Sequence, residues 1–336
     1  MNEHPVTLYS LNASEASQIR HVLMEAEAAG GDPGSESFYD FAWEFVSRLP
    51  VGFRRFLSDF RLYESAAGLV VRGMEIDDTA MGPTPAGWRK AAGAQAARRE
   101  EIFLALVATC LGEVFNWATI QGGRMIQDVL PVQGEEDRQS GHGSVELLWH
   151  TEDGFHPSRC AYVILLGIRN HGAVPTLLSS VRDVRLPDWC AKVLFEERFF
   201  IYPDDEHLVQ LARQFPDHPA LEVMQRMRAA PEPVAVLWGE PSAPYLRLDV
   251  PFMRCADEEA EKALAVLVAE LDRCRVDVAV RAGDLLIIDN DIAVHGRANF
   301  SPRFDGKDRW LKKAQVTRDL RAARTPGVGA GSRVLF

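Results

Sequence analysis

"LLWHTEDGFHPSRCAYV", from Leu147 to Val163, reads as a short apolar strand that carries a histidine and a carboxylate two positions apart. In a β-strand, residues i and i+2 project to the same side of the sheet. The spacing therefore predicts that His150 and Glu152 point together, while Thr151 points away. A neutral imidazole and a carboxylate on one face provide two of the three protein ligands that a facial metal site requires.

The third ligand should be a histidine near the end of another strand. Downstream of Glu152 the candidates are His156, His171, His207, His218 and His295. Of these, only His295 is distant and has strand-like sequence on both sides, in "GDLLIIDNDIAVHGRANF" (283–300). Two histidines and one carboxylate are typical of non-haem Fe(II) sites, which leave coordination positions open for a cosubstrate and O2. We therefore predict that His150, Glu152 and His295 bind Fe(II).

Arg309 strengthens this hypothesis. It begins "RWLKKAQVTRDL" (309–320), a strand-like segment in which the arginine would point inward. A buried guanidinium requires a carboxylate partner, and no acidic residue near it in sequence is an obvious mate. A dicarboxylic cosubstrate would supply that partner.

The composition argues against several classes of protein. The chain of 336 residues is 47% hydrophobic and 25% charged, which is usual for globular proteins. Its formal net charge of −11 argues against a nucleic-acid partner, because phosphate binding needs a basic surface. No apolar run is long enough to span a membrane and no secretory signal is visible, so a cytoplasmic location is expected. The five cysteines form no CxxC pair and no HExxH motif occurs, which disfavours a zinc hydrolase.

The texture of the sequence changes after Phe115. Residues 1–115 show mostly helical patterns, whereas the rest contains short β-branched and aromatic runs separated by Gly, Pro, Asp and Asn. This predicts an α+β protein with a barrel or sandwich of short strands rather than alternating βαβ units. Helical segments are expected around 183–228 and at 257–274.

Three polar or glycine-rich segments lie outside the predicted strands. The segments "QGEEDRQSGHGS" (133–144) and "FFIYPDDEHLVQLARQFPDHP" (199–219) are candidate lids over a substrate. The tail "TPGVGAGSRVLF" (325–336) is expected to be loosely held.

Longer stretches of the chain resemble the clavaminate synthase-like branch of the Fe(II)/2-oxoglutarate-dependent oxygenases. These stretches are "WHTEDGFHPSRCAYVILLGIRN", "PTLLSS", "YLRLD", "GDLLIIDNDIAVHGR" and "DRWLKKAQVTRDLR". The resemblance implies one oxygenase domain over residues 1–336. In that domain a helical flank (1–115) would precede a double-stranded β-helix, or jelly-roll, core (116–320).

The resemblance also assigns roles to individual residues. It places the iron ligands at His150, Glu152 and His295. It assigns Arg309 to the distal carboxylate of 2-oxoglutarate, and Thr176 to a further contact with this cosubstrate. Fe(II), 2-oxoglutarate and O2 are therefore the expected cofactor and cosubstrates. Because Glu152 is present, halogenation is not expected.

Within this branch the chain is most similar to hydroxylases of free amino acids, namely arginine 3-hydroxylase, asparagine oxygenase and the lysine hydroxylases. The similarity assigns Asp249 to the substrate side chain and Gln121 to its backbone groups. Lys313 stands where an arginine often binds the substrate carboxylate, and it lacks the bidentate fork of arginine. Arginine 3-hydroxylase resembles this chain but has an aspartate where Arg247 stands here, a departure that favours L-lysine over L-arginine.

The predicted reaction is hydroxylation of an unactivated C–H bond of a free basic amino acid, with release of succinate and CO2. Asparagine and a modified or carrier-bound amino acid stay open as alternative substrates. A different class of function also stays open, a jelly-roll binding protein without catalysis in which the histidine–glutamate pair is incidental. The expected partner is a small-molecule substrate, with no nucleic acid and no membrane, and a homo-oligomer is left open.

Overall fold

The computed structural model describes residues 5–91, 95–324 and 328–336, and ten α-helices lie within them. Helices α1 to α6 lie in the region predicted to be mostly helical, α7 to α9 in the predicted helical insertion, and α10 where a helix was predicted at 257–274. None of these helices combines the length and the apolar character needed to cross a membrane. Their bounds are α1 Ala13–Ala29, α2 Ala42–Val46, α3 Val51–Tyr63, α4 Asp78–Met81, α5 Trp88–Ala91, α6 Arg98–Leu111, α7 Asp188–Leu194, α8 Asp205–Gln214, α9 Pro219–Ala229 and α10 Glu258–Arg273.

The strands are short, as the sequence predicts, and most of them follow α6. Their bounds are β1 Val6–Ser10, β2 Gly68–Arg72, β3 Glu113–Trp117, β4 Gln127–Val129, β5 Leu147–His150, β6 Tyr162–Arg169, β7 Thr176–Ser180, β8 Phe199–Ile201, β9 Leu237–Glu240, β10 Ala243–Leu246, β11 Met253–Cys255, β12 Val276–Val278, β13 Leu285–Asp289, β14 Ala293–Arg297, β15 Trp310–Thr317 and β16 Val334–Leu335. The mixture of helices and sheets confirms the predicted α+β class.

Two sheets organise the protein. The larger one has eight strands in the order β1-β2-β13-β6-β15-β3-β16, with β4 paired to β15. It is antiparallel except where β1 meets β2 and where β3 meets β16. The smaller sheet has four antiparallel strands in the order β12-β7-β14-β5. The pairs β9–β10 and β8–β11 form two separate ribbons.

The central strands of the larger sheet, β6 and β13, are buried on both faces. In β6, Ile164 and Leu166 pack in one apolar cluster with residues of α1, α3 and α6. Val163 and Leu165 pack in a second cluster that contains Val294 of the smaller sheet. Successive side chains of a strand point to opposite faces, so a strand covered on both sides reads as a continuous apolar run.

The end of the chain is packed against the larger sheet. Strand β16 pairs in parallel with β3. Glu36 Oε1 accepts hydrogen bonds from the Ser332 hydroxyl at 2.9 Å and from the Val334 N–H at 2.8 Å. The expectation of a loosely held tail is therefore wrong for this part of it, while residues 325–327 lie outside the described residues.

The two candidate lid segments contact each other. Arg138 in the first segment lies 3.3 Å from Glu206 of α8 in the second. Arg297 of β14 also holds the first segment and the residue that follows it. It donates to the carbonyls of Ser140 at 3.2 Å and of Val145 at 2.7 Å. Action of these segments as lids stays a prediction.

A buried ionic group connects helix α6 and strand β4 to strand β15. Lys312 Nζ lies 2.7 Å from Glu101 Oε1 of α6 and 2.6 Å from Asp128 Oδ1 of β4. The indole N–H of Trp310 donates to the same Asp128 oxygen at 2.7 Å. All three charged side chains are buried, so each depends on its partners rather than on water.

We expect Lys312→Met to lower the free energy of unfolding by about 3–5 kcal/mol, because two buried carboxylates would lose their cation. Chemical denaturation followed by circular dichroism measures this change. Lys307→Met is the matched control, since Lys307 is exposed and its loss should change stability by no more than about 0.5 kcal/mol. Equal stability of the two variants would contradict the role assigned to Lys312.

Candidate metal centre and active site

The pairing of β5 with β14 brings two distant histidines together. His150 is the register partner of His295, and their ring centroids are 4.2 Å apart. The His150 Nδ1–H donates to the Leu148 carbonyl at 2.8 Å, which leaves Nε2 free to bind a metal. Burial, together with the neighbouring His295, lowers the pKa of His150 to about 4. The imidazole is therefore neutral, as metal binding requires.

Glu152 reaches the same place from a turn. Strand β5 ends at His150, so the prediction that one strand presents both side chains is wrong in its geometry. Asn290 sets the position of the turn instead. Its Oδ1 accepts from the Glu152 N–H at 2.7 Å, and its Nδ2 donates to the Glu152 carbonyl at 3.1 Å and to the Cys160 carbonyl at 2.9 Å.

The three predicted ligands form a compact cluster that fits a metal ion. One donor atom from each of His150, Glu152 and His295 lies within 4.8 Å of the others. Glu152 Oε2 lies 3.5 Å from His295 Nε2. Among the described residues this is the one group of histidine, cysteine and acidic side chains arranged in that way. Two imidazoles and one carboxylate are the donor set of non-haem Fe(II) sites.

The second oxygen of Glu152 is bound by two donors from β15. Lys313 Nζ donates to Oε1 at 2.7 Å and Gln315 Nε2 at 3.1 Å. Burial alone would raise the pKa of Glu152, but the ammonium of Lys313 and the imidazole of His295 hold it well below its usual range. Lys313 thus bonds Glu152 in this structure, and its predicted contact with a substrate carboxylate stays a prediction.

Arg309 is a buried cation without an acidic partner among the described residues. It is 6% exposed, and its closest polar contact runs from Nη2 to Thr176 Oγ1 at 3.4 Å. Its Nε has no hydrogen-bond partner. Burial and the nearby charge of Arg297 lower its pKa to about 9. A buried cation is costly unless an anion pairs with it, so this position fits one carboxylate of a dicarboxylic acid.

Asp249 is a buried carboxyl group next to the cluster. It forms a β-bridge with His150 and is 8% exposed. Burial raises its pKa well above the usual range, and the charges of Asp204, Asp153 and Glu152 raise it further. Within the described residues it has no cationic partner.

The two arginines that could have neutralised Asp249 are engaged elsewhere. Arg247 donates to the carbonyls of Gly154 and Phe155. The guanidinium carbon of Arg254 lies 5.4 Å from the centroid of the Tyr202 ring. Asp249 is therefore available to a cation that comes from outside the protein.

The Gln121 side chain is hydrogen-bonded to the backbone of Asp128. Its Nε2 donates to the Asp128 carbonyl at 2.8 Å, and its Oε1 accepts from the Asp128 N–H at 2.9 Å. Its backbone has φ 47°, in the left-handed region. The carboxamide thus stabilises a strained turn after β3, and its predicted contact with substrate backbone groups stays a prediction.

The sequence did not single out two acidic residues of the site, Asp204 and Asp153. Asp204 caps α8 by accepting from the Glu206 N–H at 2.8 Å, and burial raises its pKa. Asp153 accepts from the indole N–H of Trp117 at 2.6 Å and lies 3.6 Å from Nε2 of His207. Asp153 could have been found from the sequence because it directly follows the predicted ligand Glu152. Asp204 could not, because the sequence around α8 is that of an ordinary polar helix.

Comparison with known proteins identifies the family. No family model matches the chain. It is 40% identical over 306 residues to enduracididine beta-hydroxylase of Streptomyces hygroscopicus, covering 87% of this chain and 89% of the relative. It is 38% identical to L-ornithine/L-arginine 3-hydroxylase of Catenulispora acidiphila, covering 86% of this chain and 87% of the relative. The structure of the non-haem iron oxygenase OrfP with Fe, succinate and (3S)-hydroxy-L-Arg matches with a TM-score of 0.90 and 36% identity, covering 98% of this chain and 99% of that one.

The chain belongs to the clavaminate synthase-like branch of the Fe(II)/2-oxoglutarate-dependent oxygenases. It is an amino acid hydroxylase that uses Fe(II), 2-oxoglutarate and O2. The alternatives of a binding protein without catalysis and of a zinc hydrolase are thereby excluded.

We expect 2-oxoglutarate and succinate to raise the melting temperature of the protein by a few degrees, because a ligand that pairs Arg309 stabilises only the folded state. Arg309→Met should lose most of this shift, as measured by differential scanning fluorimetry. Arg321→Met, which removes an exposed arginine, is the control and should keep it. A full shift in Arg309→Met would contradict the assignment.

Proposed function

We propose that this enzyme hydroxylates a free L-amino acid whose side chain carries a guanidino group. The observation that carries the proposal is Asp249, a desolvated carboxylate that adjoins His150 and lacks a cationic partner among the described residues. Asp204 adds a second, half-buried carboxylate close enough to raise the pKa of Asp249. Two acids from different elements suit a guanidinium, which presents five N–H donors in one plane.

The metal would be held by His150, Glu152 and His295. Bound Fe(II) supplies the activation of O2 that allows oxidation of an unactivated C–H bond, coupled to conversion of 2-oxoglutarate to succinate and CO2. The protein's share is positioning in a site shielded from water. Because position decides which carbon reacts, a displacement of about 1 Å would change the product.

The cosubstrate would lie between the metal ligands and Arg309. The guanidinium of Arg309 would pair with the distal carboxylate of 2-oxoglutarate, and the Thr176 hydroxyl, 3.4 Å from Nη2, would contact the same group. Support comes from the lack of an acidic partner for this buried cation and from the OrfP complex with Fe and alpha-ketoglutaric acid.

The preference for lysine that the sequence suggested is not supported by the more similar relatives, although other relatives are named lysine hydroxylases. The two relatives described above are named for enduracididine and for ornithine and arginine, and OrfP complexes contain L-homoarginine or L-canavanine. The L-lysine 3-hydroxylase of Catenulispora acidiphila is less similar, at 29% identity. Arg247, the residue that favoured lysine, donates to backbone carbonyls and does not neutralise Asp249. We therefore place a guanidino amino acid ahead of lysine and asparagine.

We further propose that the two sheets form the double-stranded β-helix of this family. The shared apolar cluster between β6 and β14 supports this proposal. The helical flank (1–115) and the core (116–320) would then be parts of one domain spanning 1–336.

Incubation of the purified enzyme with Fe(II), ascorbate and 2-oxoglutarate tests the substrate class. We expect a mass gain of one oxygen atom with arginine or enduracididine and a smaller yield with ornithine, lysine or asparagine. His295→Ala should form no product, because one metal ligand is lost. Product from lysine alone would refute the guanidino assignment.

Asp249→Asn should lower kcat/KM for the guanidino substrate about tenfold to hundredfold, since a charge-assisted hydrogen bond is lost. The KM for 2-oxoglutarate should stay the same. Asp217→Asn, at an exposed position between α8 and α9, is the matched control. If the two variants have equal kcat/KM, Asp249 does not bind the substrate.

A further inference from the structure

Gln315 occupies the face of β15 that points into the site. Side chains alternate along this strand, so Lys312 faces α6 while Lys313 and Gln315 face Glu152. Gln315 is 0% exposed. No role was assigned to it by the sequence or by the mechanism above.

The amide nitrogen of Gln315 bridges two carboxylates. Its Nε2 donates to Glu152 Oε1 at 3.1 Å and to Asp153 Oδ2 at 3.1 Å. Ionised carboxylates only accept hydrogen bonds, so they require the NH2 side of the carboxamide. The Gln315 Oε1 is left buried without a hydrogen-bond partner. A buried acceptor without a partner is unfavourable, which indicates that the carboxylates impose this orientation.

Asp153 is itself firmly held. Its backbone has φ 52°, a conformation that non-glycine residues rarely adopt. Its carboxylate accepts from the indole N–H of Trp117 at 2.6 Å and from Gln315 Nε2 at 3.1 Å, both on Oδ2. His207 Nε2 lies 3.6 Å from the other carboxylate oxygen. Asp153 is therefore a fixed acceptor that orients the carboxamide.

We propose that Gln315, oriented by Asp153, is a positioning residue for the metal-binding carboxylate. Gln315 and Lys313 together engage Oε1 of Glu152. The other oxygen, Oε2, faces His295 Nε2 at 3.5 Å and would be the oxygen available to the metal. The proposal rests on the metal site of the proposed function and adds the residue that controls how its carboxylate binds.

Without Gln315, only the ammonium of Lys313 would hold Oε1, and the carboxylate could turn about its last bond together with that flexible side chain. Both oxygens could then approach the metal, which would change the coordination and weaken the match between site and ion. Loss of a residue that orients a metal ligand typically lowers metal affinity about tenfold to hundredfold. This effect concerns the metal itself and is measurable without turnover.

Titration of the metal-free protein with Co(II), followed by its visible absorption bands, tests the proposal. Gln315→Leu should weaken Co(II) binding about tenfold to hundredfold and shift the bands, because the coordination changes. Thr317→Val is the matched control on the same face of β15. The Thr317 hydroxyl accepts from the Asp319 N–H at 3.2 Å and does not contact Glu152, so this variant should match the parent protein.

A second variant acts through Gln315. Asp153→Gly removes the oxygen that accepts from both the Trp117 indole N–H and Gln315 Nε2, and glycine tolerates the backbone φ of 52° at this position. The carboxamide then loses the acceptor that fixes its orientation. We expect weaker Co(II) binding in Asp153→Gly but no further loss when it is combined with Gln315→Leu. Additive losses would overturn the orientation of Gln315 by Asp153. This variant also serves if Gln315→Leu does not fold.

The outcomes separate this inference from the proposed function. If the parent protein binds no Co(II), the metal site itself is refuted. If the parent binds Co(II) and Gln315→Leu binds it with the same affinity and the same bands, only the positioning role of Gln315 is refuted.

Discussion

The site depends on the antiparallel pairing of β5 with β14. This pairing places His150 directly across from His295, although the two residues are far apart along the chain. Cross-strand partners of an antiparallel pair lie about 5 Å apart, so two imidazoles converge without any local motif. The side chain of Asn290, in the turn before β14, then binds the backbone of Glu152 and adds the carboxylate. One register of one strand pair thus determines whether three ligands meet.

Buried charges without partners define what the site accepts. Arg309 is a guanidinium and Asp249 a carboxyl group, and neither has a partner of opposite charge within the described part of the chain. Proteins rarely leave buried charges unpaired, so each marks a place for a ligand of the opposite sign. The proposed dicarboxylic cosubstrate at Arg309 and the proposed cationic amino acid at Asp249 would satisfy both, and the relatives are named for chemistry of this kind.

Strand β15 connects the helical layer to this chemistry. One of its faces carries Lys312, bound to Glu101 of α6 and Asp128 of β4. The other face carries Lys313 and Gln315, bound to Glu152. The buried ionic group on the first face therefore limits movement of the strand whose second face supports the carboxylate. The helices stabilise the site through this strand and need not contact the substrate.

The sequence alone determined the α+β class and the three residues of the metal cluster, because a histidine–glutamate pair after an apolar run and a distant strand histidine are local signals. It also singled out Arg309 as a cation without an obvious acidic partner nearby in sequence, and the family resemblance singled out Asp249. Only the tertiary structure decided that Glu152 lies in a turn, that Lys313 and Gln315 bind its second oxygen, and that Arg247 turns away from Asp249. These features arise from contacts between strands and loops distant along the chain. Such hydrogen bonds form only where the packing of the two sheets brings donor and acceptor atoms within about 3 Å of each other. The spacing of residues along the sequence does not reveal that distance.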